Sequence, residues 1–371
     1  MSEHIAISEL QRRLAAAEQG AQALGLGALL VSPGPDLRYL TGYEALPLER
    51  LTCLVLRTDG DPFMVVPELE VAAANASPVG ELGLELVPWG ETTDPFVMTA
   101  QRLSAPEAIA VDNHMWAEKT LRFHAAMPGV TQRLGNEVLS PLRMRKSAEE
   151  IEALAFAGAA IDSVHANMAQ WLKVGRTERE VAADITAAII DAGHAQMDFV
   201  IVGSGPNGAS PHHEVSDRVI QAGEPVVIDI GGTTPAGYCS DETRMYSMGT
   251  PPVEFFEYYE VLKTAQWQAV QAVRPGIPCE DIDKVARDII AEAGFGDLFI
   301  HRTGHGIGLE THEEPYIVAG NTTPMEVGFA FSIEPGIYRS GKDGARIEDI
   351  AVCGADGPIL MNHRSRDLQI L

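Results

Sequence analysis

The sequence predicts a protein of the α/β (α+β) class, with a small N-terminal α/β domain at residues 1–140 and a pseudo-twofold C-terminal domain at residues 141–371. Three observations support this prediction. Helix-like and strand-like stretches alternate through the first part, as they do in small α/β domains. Two capping boxes begin helices in the second part. The second part also repeats itself, first in a helix and then in a strand.

The N-terminal part contains a predicted helix near residues 7–24, followed by short apolar runs that are typical of strands. The segment YLTGY (39–43) has the composition of a turn. Two of the apolar runs follow each other closely, which predicts a hairpin. The predicted strands are ALLVSP (28–33), TCLVLRTDG (52–60), PFMVVP (62–67) and AIAVDN (108–113).

Two helices of the second part have well-defined predicted starts. Ser147 is followed three residues later by Glu150, and Thr177 by Glu180; in each pair the two side chains can cap the helix reciprocally. The first helix is expected to reach about Lys173, and the second to stop at Gly193 because glycine commonly ends helices.

An internal repeat relates two portions of the second part. GRTEREVAADITAAIIDAG (175–193) aligns with GIPCEDIDKVARDIIAEAG (276–294) at an offset of 101 residues. The strand pattern in AGEPVVIDIGG returns in EVGFAFSIEPG, where an offset of 105 residues places Asp229 opposite Glu334. Two such copies are expected to pack about a pseudo-twofold axis. Equivalent carboxylates would then face each other across that axis.

Composition and charge exclude several classes of partner. The 371-residue chain is 46% hydrophobic, and its formal net charge is −25. Nucleic acids and anionic membranes attract basic surfaces, so neither is expected as a partner. The four cysteines form no CxxC pattern, which favours a reducing compartment over disulfides or structural zinc. Without the apolar core of a signal peptide or a run long enough to span a membrane, we expect a cytoplasmic location.

Several acidic residues lie on extended, mostly apolar segments where an unpaired carboxylate would be costly. These are Asp229, Asp241, Glu334 and Glu348, and His305 lies in the glycine-rich stretch HRTGHGIGLETHEEP. Four ionised carboxylates held close together repel one another strongly, whereas two divalent cations would balance their charge. Carboxylates with one imidazole suit manganese, cobalt, iron or zinc, so the sequence predicts a two-metal site.

Each of these residues also has a purely structural interpretation. A carboxylate in a strand is more often paired with an arginine, and Arg244 and Arg346 could serve Asp241 and Glu348 in this way. His305 could be an ordinary loop residue, and the glycines around it only loosely resemble a phosphate-binding loop. The coincidence of five such residues, two of them at repeat-equivalent positions, favours metal binding.

Three further histidines bear on the chemistry. IVGSGPNGASPHH (201–213) is predicted as a glycine-rich loop that ends on His212 and His213, and His312 lies in THEEP. These histidines are either exposed turn residues or substrate-facing groups, one from each half of the repeat.

With these residues identified, the chain from about Arg143 to its end resembles the pita-bread metallopeptidases: methionine aminopeptidase, aminopeptidase P and prolidase, with creatinase as a relative that works without metal. The resemblance rests on the blocks PHH…DR, GEPVVIDIGG, GYCSDETR, HRTGHGIGLETHEEPY, FSIEPGIY and GARIEDI, which stand in the family's order. The first part resembles the N-terminal domain of prolidase, aminopeptidase P and creatinase. The amino-acid sequences of these blocks are most similar to those of bacterial prolidase.

The resemblance implies roles for individual residues. The implied ligands of two divalent ions, most of all Mn²⁺ but also Co²⁺, Zn²⁺ or Fe²⁺, are Asp229, Asp241, His305, Glu334 and Glu348, with Asp241 and Glu348 bridging both ions. The implied substrate residues are His212 and His312 as the substrate-facing pair, Arg346 toward the substrate carboxylate and His301 at the pocket wall. Relatives usually carry an uncharged residue at the position of Glu242, whose side chain should point away from Asp241 because neighbours alternate along a strand.

The implied activity is hydrolysis of Xaa-Pro dipeptides by a metal-bridged hydroxide, with Glu334 as the proton shuttle, in a homodimer. Three alternatives remain open from the sequence. They are an aminopeptidase P that acts on longer Xaa-Pro peptides, a creatinase-like C–N hydrolase, and a non-catalytic pita-bread binding protein.

Overall fold

The computed structural model describes residues 5–371 of the chain. Internal contacts separate an N-terminal unit that ends at Arg143 from a C-terminal unit that begins at Met144. Both units mix helices with β-sheet, so the predicted α/β (α+β) class is confirmed.

The N-terminal unit contains one six-stranded sheet in the order β4-β3-β2-β1-β5-β6. Strands β1, β2 and β3 pair antiparallel, and the remaining neighbours pair parallel. The strands are β1 Ala28–Val31, β2 Cys53–Arg57, β3 Phe63–Pro67, β4 Glu85–Trp89, β5 Ala108–Val111 and β6 Thr131–Leu134. The α-helices are α1 Ile7–Ala23, α2 Pro35–Thr41, α3 Val71–Ala76, α4 Pro78–Leu82, α5 Pro95–Gln101, α6 Ala117–Ala126 and α7 Asn136–Met144.

The predicted strands and the β2–β3 hairpin of this unit are all present, but the turn predicted at YLTGY is wrong. Residues 39–41 form the last turn of α2, which begins at Pro35. Gly42 adopts a left-handed conformation at φ +69° and donates its N–H to Arg38 O. Glycine adopts this conformation easily, so Gly42 ends the helix here. From local composition alone, a glycine that ends a helix cannot be distinguished from a glycine in a turn.

The C-terminal unit contains two larger sheets, ordered β17-β9-β8-β7 and β11-β10-β12-β15-β16, and the separate hairpin β13-β14. Its α-helices are α8 Ala148–Ala166, α9 Glu178–Asp191, α10 Val253–Ala272 and α11 Cys279–Glu292. Its strands are β7 Gln196–Ser204, β8 Pro225–Thr233, β9 Glu242–Ser247, β10 Gly304–Gly306, β11 Glu313–Ile317, β12 Ala330–Ile333, β13 Gly336–Arg339, β14 Asp343–Arg346, β15 Asp349–Cys353, β16 Pro358–Leu360 and β17 Gln369–Ile370.

Both capping boxes form as predicted at the starts of α8 and α9. Ser147 N donates to Glu150 Oε2 over 2.9 Å, and Glu150 N donates to Ser147 Oγ over 3.3 Å. The predicted end of α8 near Lys173 is wrong, because the helix stops at Ala166. Asn167 caps the helix, and a short 3₁₀ turn follows at Met168–Gln170. In this turn, hydrogen bonds between residues i and i+3 replace the i to i+4 bonds of the α-helix.

The internal repeat is visible in the backbone of the C-terminal unit. Helices α9 and α11 have the same length and lie 101 residues apart in the sequence. The residues before them make equivalent bonds, since Gly175 N donates to Ile220 O over 3.0 Å and Gly276 N donates to Met325 O over 2.8 Å. The repeat therefore extends from sequence to hydrogen bonding.

Strand β8 has two different faces, which determine where the site lies. Val226, Ile228 and Ile230 pack into an apolar cluster with residues of α8 and α9. The alternate residue Asp229 points to the other face, where it is paired in register with Ile201 of β7 and Thr243 of β9. A buried strand thus presents one carboxylate away from its apolar neighbours.

Candidate metal centre and active site

The five residues predicted to bind metal come together at one cavity of about 780 Å³ in the C-terminal unit. They come from both halves of the internal repeat and lie in strands or next to strand ends. All five line the cavity: Asp229, Asp241, His305, Glu334 and Glu348. The same cavity is lined by His212, His312 and Arg346, three of the four predicted substrate residues.

Backbone bonds between strands hold two of these carboxylates in place. Glu334 follows β12, and its N–H donates to Thr303 O over 2.7 Å. Glu348 lies between β14 and β15, and its N–H donates to Thr243 O over 3.2 Å. His305 is the central residue of β10, whose flanking glycines leave room for close neighbours. A Cβ at Gly304 would lie 1.9 Å from Ser332 O, so only glycine fits there.

The polar atoms of the cluster lie within metal-binding distance of one another. Donor atoms of Asp241, His305 and Glu348 all lie within 4.8 Å of each other. His305 Nε2 is 3.1 Å from Glu334 Oε1 and 3.6 Å from Asp241 Oδ2. On its other side, His305 Nδ1 lies 3.1 Å from Gly306 O, and a proton on Nδ1 would donate to this carbonyl and leave Nε2 available to bind a cation.

The carboxylates carry more negative charge than the protein around them can balance. Burial and then the neighbouring carboxylates raise the pKa of Asp241 and of Glu348 well above their ordinary values. Burial would also raise the pKa of Glu334, but His305 and Arg346 outweigh it and lower that pKa to about 2. Protein groups alone thus stabilise the ionised form of Glu334 and disfavour the ionised forms of Asp241 and Glu348.

Two buried oxygens of the cluster have no hydrogen-bond partner among residues 5–371. They are Asp229 Oδ1 and Glu348 Oε1. Buried carboxylate oxygens are rarely left unpaired, because the lost hydration is not replaced. Unpaired oxygens, converging carboxylates and an imidazole lone pair are together the donor set that hard or borderline divalent cations require. The residues present therefore fit a divalent metal site.

Arg346 pairs with Asp229 rather than with Glu348, the partner that the structural interpretation gave it. Its Nε donates to Thr243 Oγ1 over 3.1 Å. Its Nη1 donates to Pro211 O over 3.2 Å and to Tyr338 Oη over 2.9 Å, and its Nη2 donates to Asp229. Four of the five N–H groups thus have acceptors within residues 5–371.

Arg244 is not the partner of Asp241, so that structural interpretation is wrong. Alternation along β9 turns Arg244 to the opposite face, where its Nη2 lies 2.6 Å from Asp349 Oδ1 and 3.1 Å from Glu242 Oε1. Glu242 is fully buried there and does not line the cavity, as the same alternation predicted. Arg244 also donates to Glu348 O over 2.5 Å, and this bond helps to hold the main chain at Glu348 in place.

The predicted substrate histidines do not all reach the cavity. His212 and His312 line it, and the His312 ring packs edge-on against His305 at a centroid distance of 4.1 Å. Burial lowers the pKa of His312 to about 4, so its ring is neutral at pH 7. His301 is not among the lining residues. Its Nε2 lies 2.9 Å from Tyr338 Oη, the hydroxyl that also accepts from Arg346.

Sequence reasoning missed the apolar wall of the cavity. IVGSGPNGASPHH was predicted as a loop, but its first four residues complete β7. Phe199 and Ile201 of β7 are in register with Gly231 and Asp229 of β8, so they share the face of Asp229. The alternating apolar residues before the loop were the signal for this strand. The apolar lining residues are Ala182, Ala183, Met197, Phe199, Val200, Ile201 and Val215.

Within residues 5–371, no helix has both the length and the apolar composition needed to span a membrane.

The fold and this buried carboxylate–histidine cluster define a metallopeptidase that carries an additional N-terminal α/β domain. Residues 152–355 match the metallopeptidase family M24, and residues 13–145 match the creatinase/prolidase N-terminal domain. The chain belongs to metallopeptidase family M24. The predicted pita-bread fold and the predicted enzyme class are thereby confirmed.

Known proteins of related sequence and structure span almost the whole chain. A probable dipeptidase, PepE, of Mycobacterium tuberculosis is 50% identical, and the match covers 97% of this chain and 96% of the relative. The Xaa-Pro dipeptidase of Lactobacillus helveticus is 38% identical, with 90% and 92% covered. The crystal structure of a prolidase from Thermococcus sibiricus is 37% identical with a TM-score of 0.90, and the match covers 97% of this chain and 99% of that chain.

Proposed function

We propose that this metallopeptidase hydrolyses Xaa-Pro dipeptides with the help of two divalent metal ions. One observation carries the proposal: five predicted ligands converge at one cavity, and two of their buried carboxylate oxygens have no partner among residues 5–371. Relatives named Xaa-Pro dipeptidase and prolidase, matched over nearly the full chain, support the choice of substrate.

In this proposal Asp229, Asp241, His305, Glu334 and Glu348 would hold the two ions. Mn²⁺ is the first candidate, with Co²⁺, Zn²⁺ and Fe²⁺ as alternatives that the same oxygen and nitrogen donors accept. When bound, the ions supply positive charge that polarises the scissile carbonyl and acidifies water.

Glu334 would move the proton. Its Oε1 accepts from Ser332 Oγ over 3.1 Å, and its side chain keeps 15% of its surface exposed, so one edge of the carboxylate faces the cavity. We propose that this carboxylate takes the proton of the attacking water and delivers it to the proline nitrogen. A secondary amine within a ring leaves only when protonated, which makes such a shuttle necessary.

His212 and His312 would stabilise the negative charge that develops on the carbonyl oxygen. The pKa of His312 near 4 supports this role, because a neutral imidazole keeps one N–H to donate and one nitrogen to accept. The fifth N–H of Arg346, which has no acceptor among residues 5–371, would donate to the substrate carboxylate. His301 would contribute through Tyr338, by holding the hydroxyl that Arg346 also contacts.

A metal-restoration assay tests the proposal directly. Protein stripped of metal should hydrolyse Gly-Pro and Leu-Pro after addition of Mn²⁺, Co²⁺ or Zn²⁺, and should be inactive without them. A complete lack of Xaa-Pro hydrolysis with every metal would overturn the proposal.

A chain-length series separates a dipeptidase from an aminopeptidase P. The cavity volume of about 780 Å³ also admits peptides longer than two residues, so Leu-Pro and Leu-Pro-Ala are compared at equal concentration. We expect faster cleavage of the dipeptide. Equal or faster cleavage of the tripeptide would favour the aminopeptidase. A metal-free creatinase-like reaction, or loss of catalysis, is disfavoured because the full set of ligands lines the cavity.

We also propose that the protein is a cytoplasmic homodimer with domains at residues 1–140 and 141–371. All four cysteines are free and buried, which suits a reducing compartment. Light scattering on the purified full chain measures the oligomeric state, and a monomeric mass would contradict the dimer.

A further inference from the structure

One buried carboxylate outside the metal cluster accepts an unusual number of hydrogen bonds. Glu178 is the first residue of α9, and its residue surface is 0% exposed. Its Oε1 accepts from Ser204 N over 2.8 Å, from Ser204 Oγ over 2.7 Å and from Asn207 Nδ2 over 3.0 Å. Its Oε2 accepts from His213 Nε2 over 2.8 Å, from Ser216 N over 3.2 Å and from Ser216 Oγ over 2.6 Å.

These donors lie near the two ends of residues 204–216, a segment that begins at the end of β7 and lies in the connection to β8. Ser204 is the last residue of β7, and Asn207 belongs to the 3₁₀ turn Gly205–Ala209 that follows it. His213 and Ser216 lie at the far end of the same segment. A single carboxylate therefore ties both ends of residues 204–216 to the start of α9.

The tied segment carries His212, which lines the cavity. The His212 side chain is exposed, and its two neighbours are each held by a buried charged group. Pro211 O accepts from Arg346 Nη1 over 3.2 Å, and His213 Nε2 donates to Glu178 over 2.8 Å. The position of His212 is thus set by its neighbours on both sides.

The charge of Glu178 suits this role. The hydrogen bonds from Ser216, Ser204 and His213 outweigh burial and lower the pKa of Glu178, so the carboxylate is ionised at neutral pH. An ionised carboxylate at the first residue of a helix is also stabilised by the helix dipole. Hydrogen bonds to a charged acceptor are stronger than those between neutral groups, so the segment is held firmly.

The second half of the repeat contains a comparable device. Asp283 of α11 accepts from Thr303 N over 3.1 Å and from Thr303 Oγ1 over 2.8 Å, two residues before His305. Asp283 lies about one turn further along its helix than Glu178 does. In each half, a buried helix carboxylate holds the main chain close to a histidine that lines the cavity.

We propose that Glu178 is a positioning residue of the active site, which acts through His213 and the segment 204–216 to hold His212 against the substrate. The proposal rests on the proposed peptidase function, because it assigns His212 to the developing oxyanion.

The test compares Glu178→Gln with Glu180→Gln in the full-length, metal-loaded protein. Glutamine at 178 turns one acceptor oxygen into an N–H₂ donor, so donors of the segment lose their acceptor. Glu180 lies in the same turn but accepts from Thr177 N, and it does not contact the segment. We expect kcat for Leu-Pro to fall at least tenfold in Glu178→Gln, with a smaller change in KM. We expect less than a twofold change in Glu180→Gln.

A double-mutant cycle distinguishes positioning of His212 from general damage to the fold. In a His212→Ala background, Glu178→Gln should change kcat by less than twofold, because the group it positions is already gone. A full tenfold loss in that background would overturn the proposal. If Glu178→Gln does not fold, His213→Ala replaces it, since that change removes only the bond nearest to His212.

Two readouts need no substrate, so they remain informative if Xaa-Pro hydrolysis is never found. Hydrogen–deuterium exchange should increase in residues 204–216 of Glu178→Gln and stay unchanged in residues 302–312. Mass spectrometry should find the same Mn²⁺ content as in the wild type. Unchanged exchange in residues 204–216 would overturn the positioning role. Inactive wild-type protein with faster exchange in this segment of the variant would overturn only the peptidase function.

Discussion

His305 Nε2 lies 3.1 Å from Oε1 of Glu334, and both residues belong to the second half of the C-terminal repeat, on the neighbouring strands β10 and the end of β12. His305 is buried, and both side chains line the cavity. The relationship makes Glu334 the residue whose chemistry can be tested most sharply.

Replacing Glu334 with glutamine should abolish turnover, although the two side chains have nearly the same shape. The amide cannot take a proton from water, and it binds a divalent cation much less well than a carboxylate. We expect kcat for Leu-Pro to fall by about 10³-fold or more, in the range that general acid–base groups contribute. The matched control is Glu326→Gln, an exposed residue paired with Arg145. Turnover of Glu334→Gln within threefold of the wild type would contradict the proton-shuttle role.

Removing one carboxylate of the cluster should separate metal binding from folding. Asp241→Asn removes a buried carboxyl group whose ionised form is disfavoured by burial and by the neighbouring carboxylates, so the metal-free variant should be at least as stable as the metal-free wild type. Binding to the folded state alone stabilises it by about 2.7 kcal/mol at a metal concentration of 100 Kd. We therefore expect Mn²⁺ to raise the Tm of the wild type and to leave that of Asp241→Asn nearly unchanged. An equal rise in both proteins would place the metal elsewhere.

The buried residue His165 should make the free energy of unfolding depend on pH. Burial, and after it the charge of Arg244, lowers the pKa of His165 to about 3, whereas an unfolded histidine has a pKa of about 6.5. The unfolded state therefore binds more protons between these values. The stabilisation by neutral His165 is complete above pH 6.5 and is lost progressively as the pH falls toward 3.

Urea unfolding of the wild type and His165→Gln between pH 4 and pH 8 measures this effect. His165 contacts Tyr246 Oη over 2.9 Å, so the variant starts with lower stability at pH 8. The informative quantity is the change in the free energy of unfolding with pH, which should be smaller in the variant than in the wild type. Parallel curves would mean that His165 does not titrate on unfolding.

The apolar wall predicts the residue preferred before proline. Phe199 and Ile201 lie on the same sheet face as Asp229, next to the proposed metal ligands. We expect Leu-Pro and Met-Pro to be cleaved with higher kcat/KM than Asp-Pro or Lys-Pro, because a charged side chain would lose hydration against this wall.

Ile201→Asn tests that preference directly. It should lower kcat/KM for Leu-Pro by about tenfold, the scale of an apolar pocket contact, and change that for Gly-Pro little. Ile190→Asn, at a residue that is 44% exposed on α9, is the control. Equal losses for Leu-Pro and Gly-Pro in Ile201→Asn would show a general defect and contradict the specificity role.

The parts of the fold that depend on local chemistry were predictable from the sequence. A capping box needs only four consecutive positions, so the starts of α8 and α9 were predicted correctly. The repeat also could be found, because each half folds by the same local rules. The end of α8 and the helix before Gly42 were not predicted correctly. At such positions several backbone conformations have nearly equal local energies, and tertiary packing decides among them.

The composition of the site could be predicted, but the pairing of its charges could not. The alternative interpretation paired Arg346 with Glu348, its near neighbour in the chain, yet Arg346 pairs with Asp229 from another strand. Glu178 was visible only as a helix-start residue, because its partners lie 26 to 38 positions away in the sequence. Contacts of this kind depend on how strands are ordered in a sheet, which one sequence does not reveal.

Anomalous diffraction from crystals grown with Mn²⁺ is the most direct measurement of the central claim, that the converging carboxylates hold two cations. We predict two manganese peaks within bonding distance of the Asp241 and Glu348 carboxylates, with His305 Nε2 bound to one of them. An anomalous map with no peak among these side chains, recorded from crystals that hold manganese at other sites, would contradict the account.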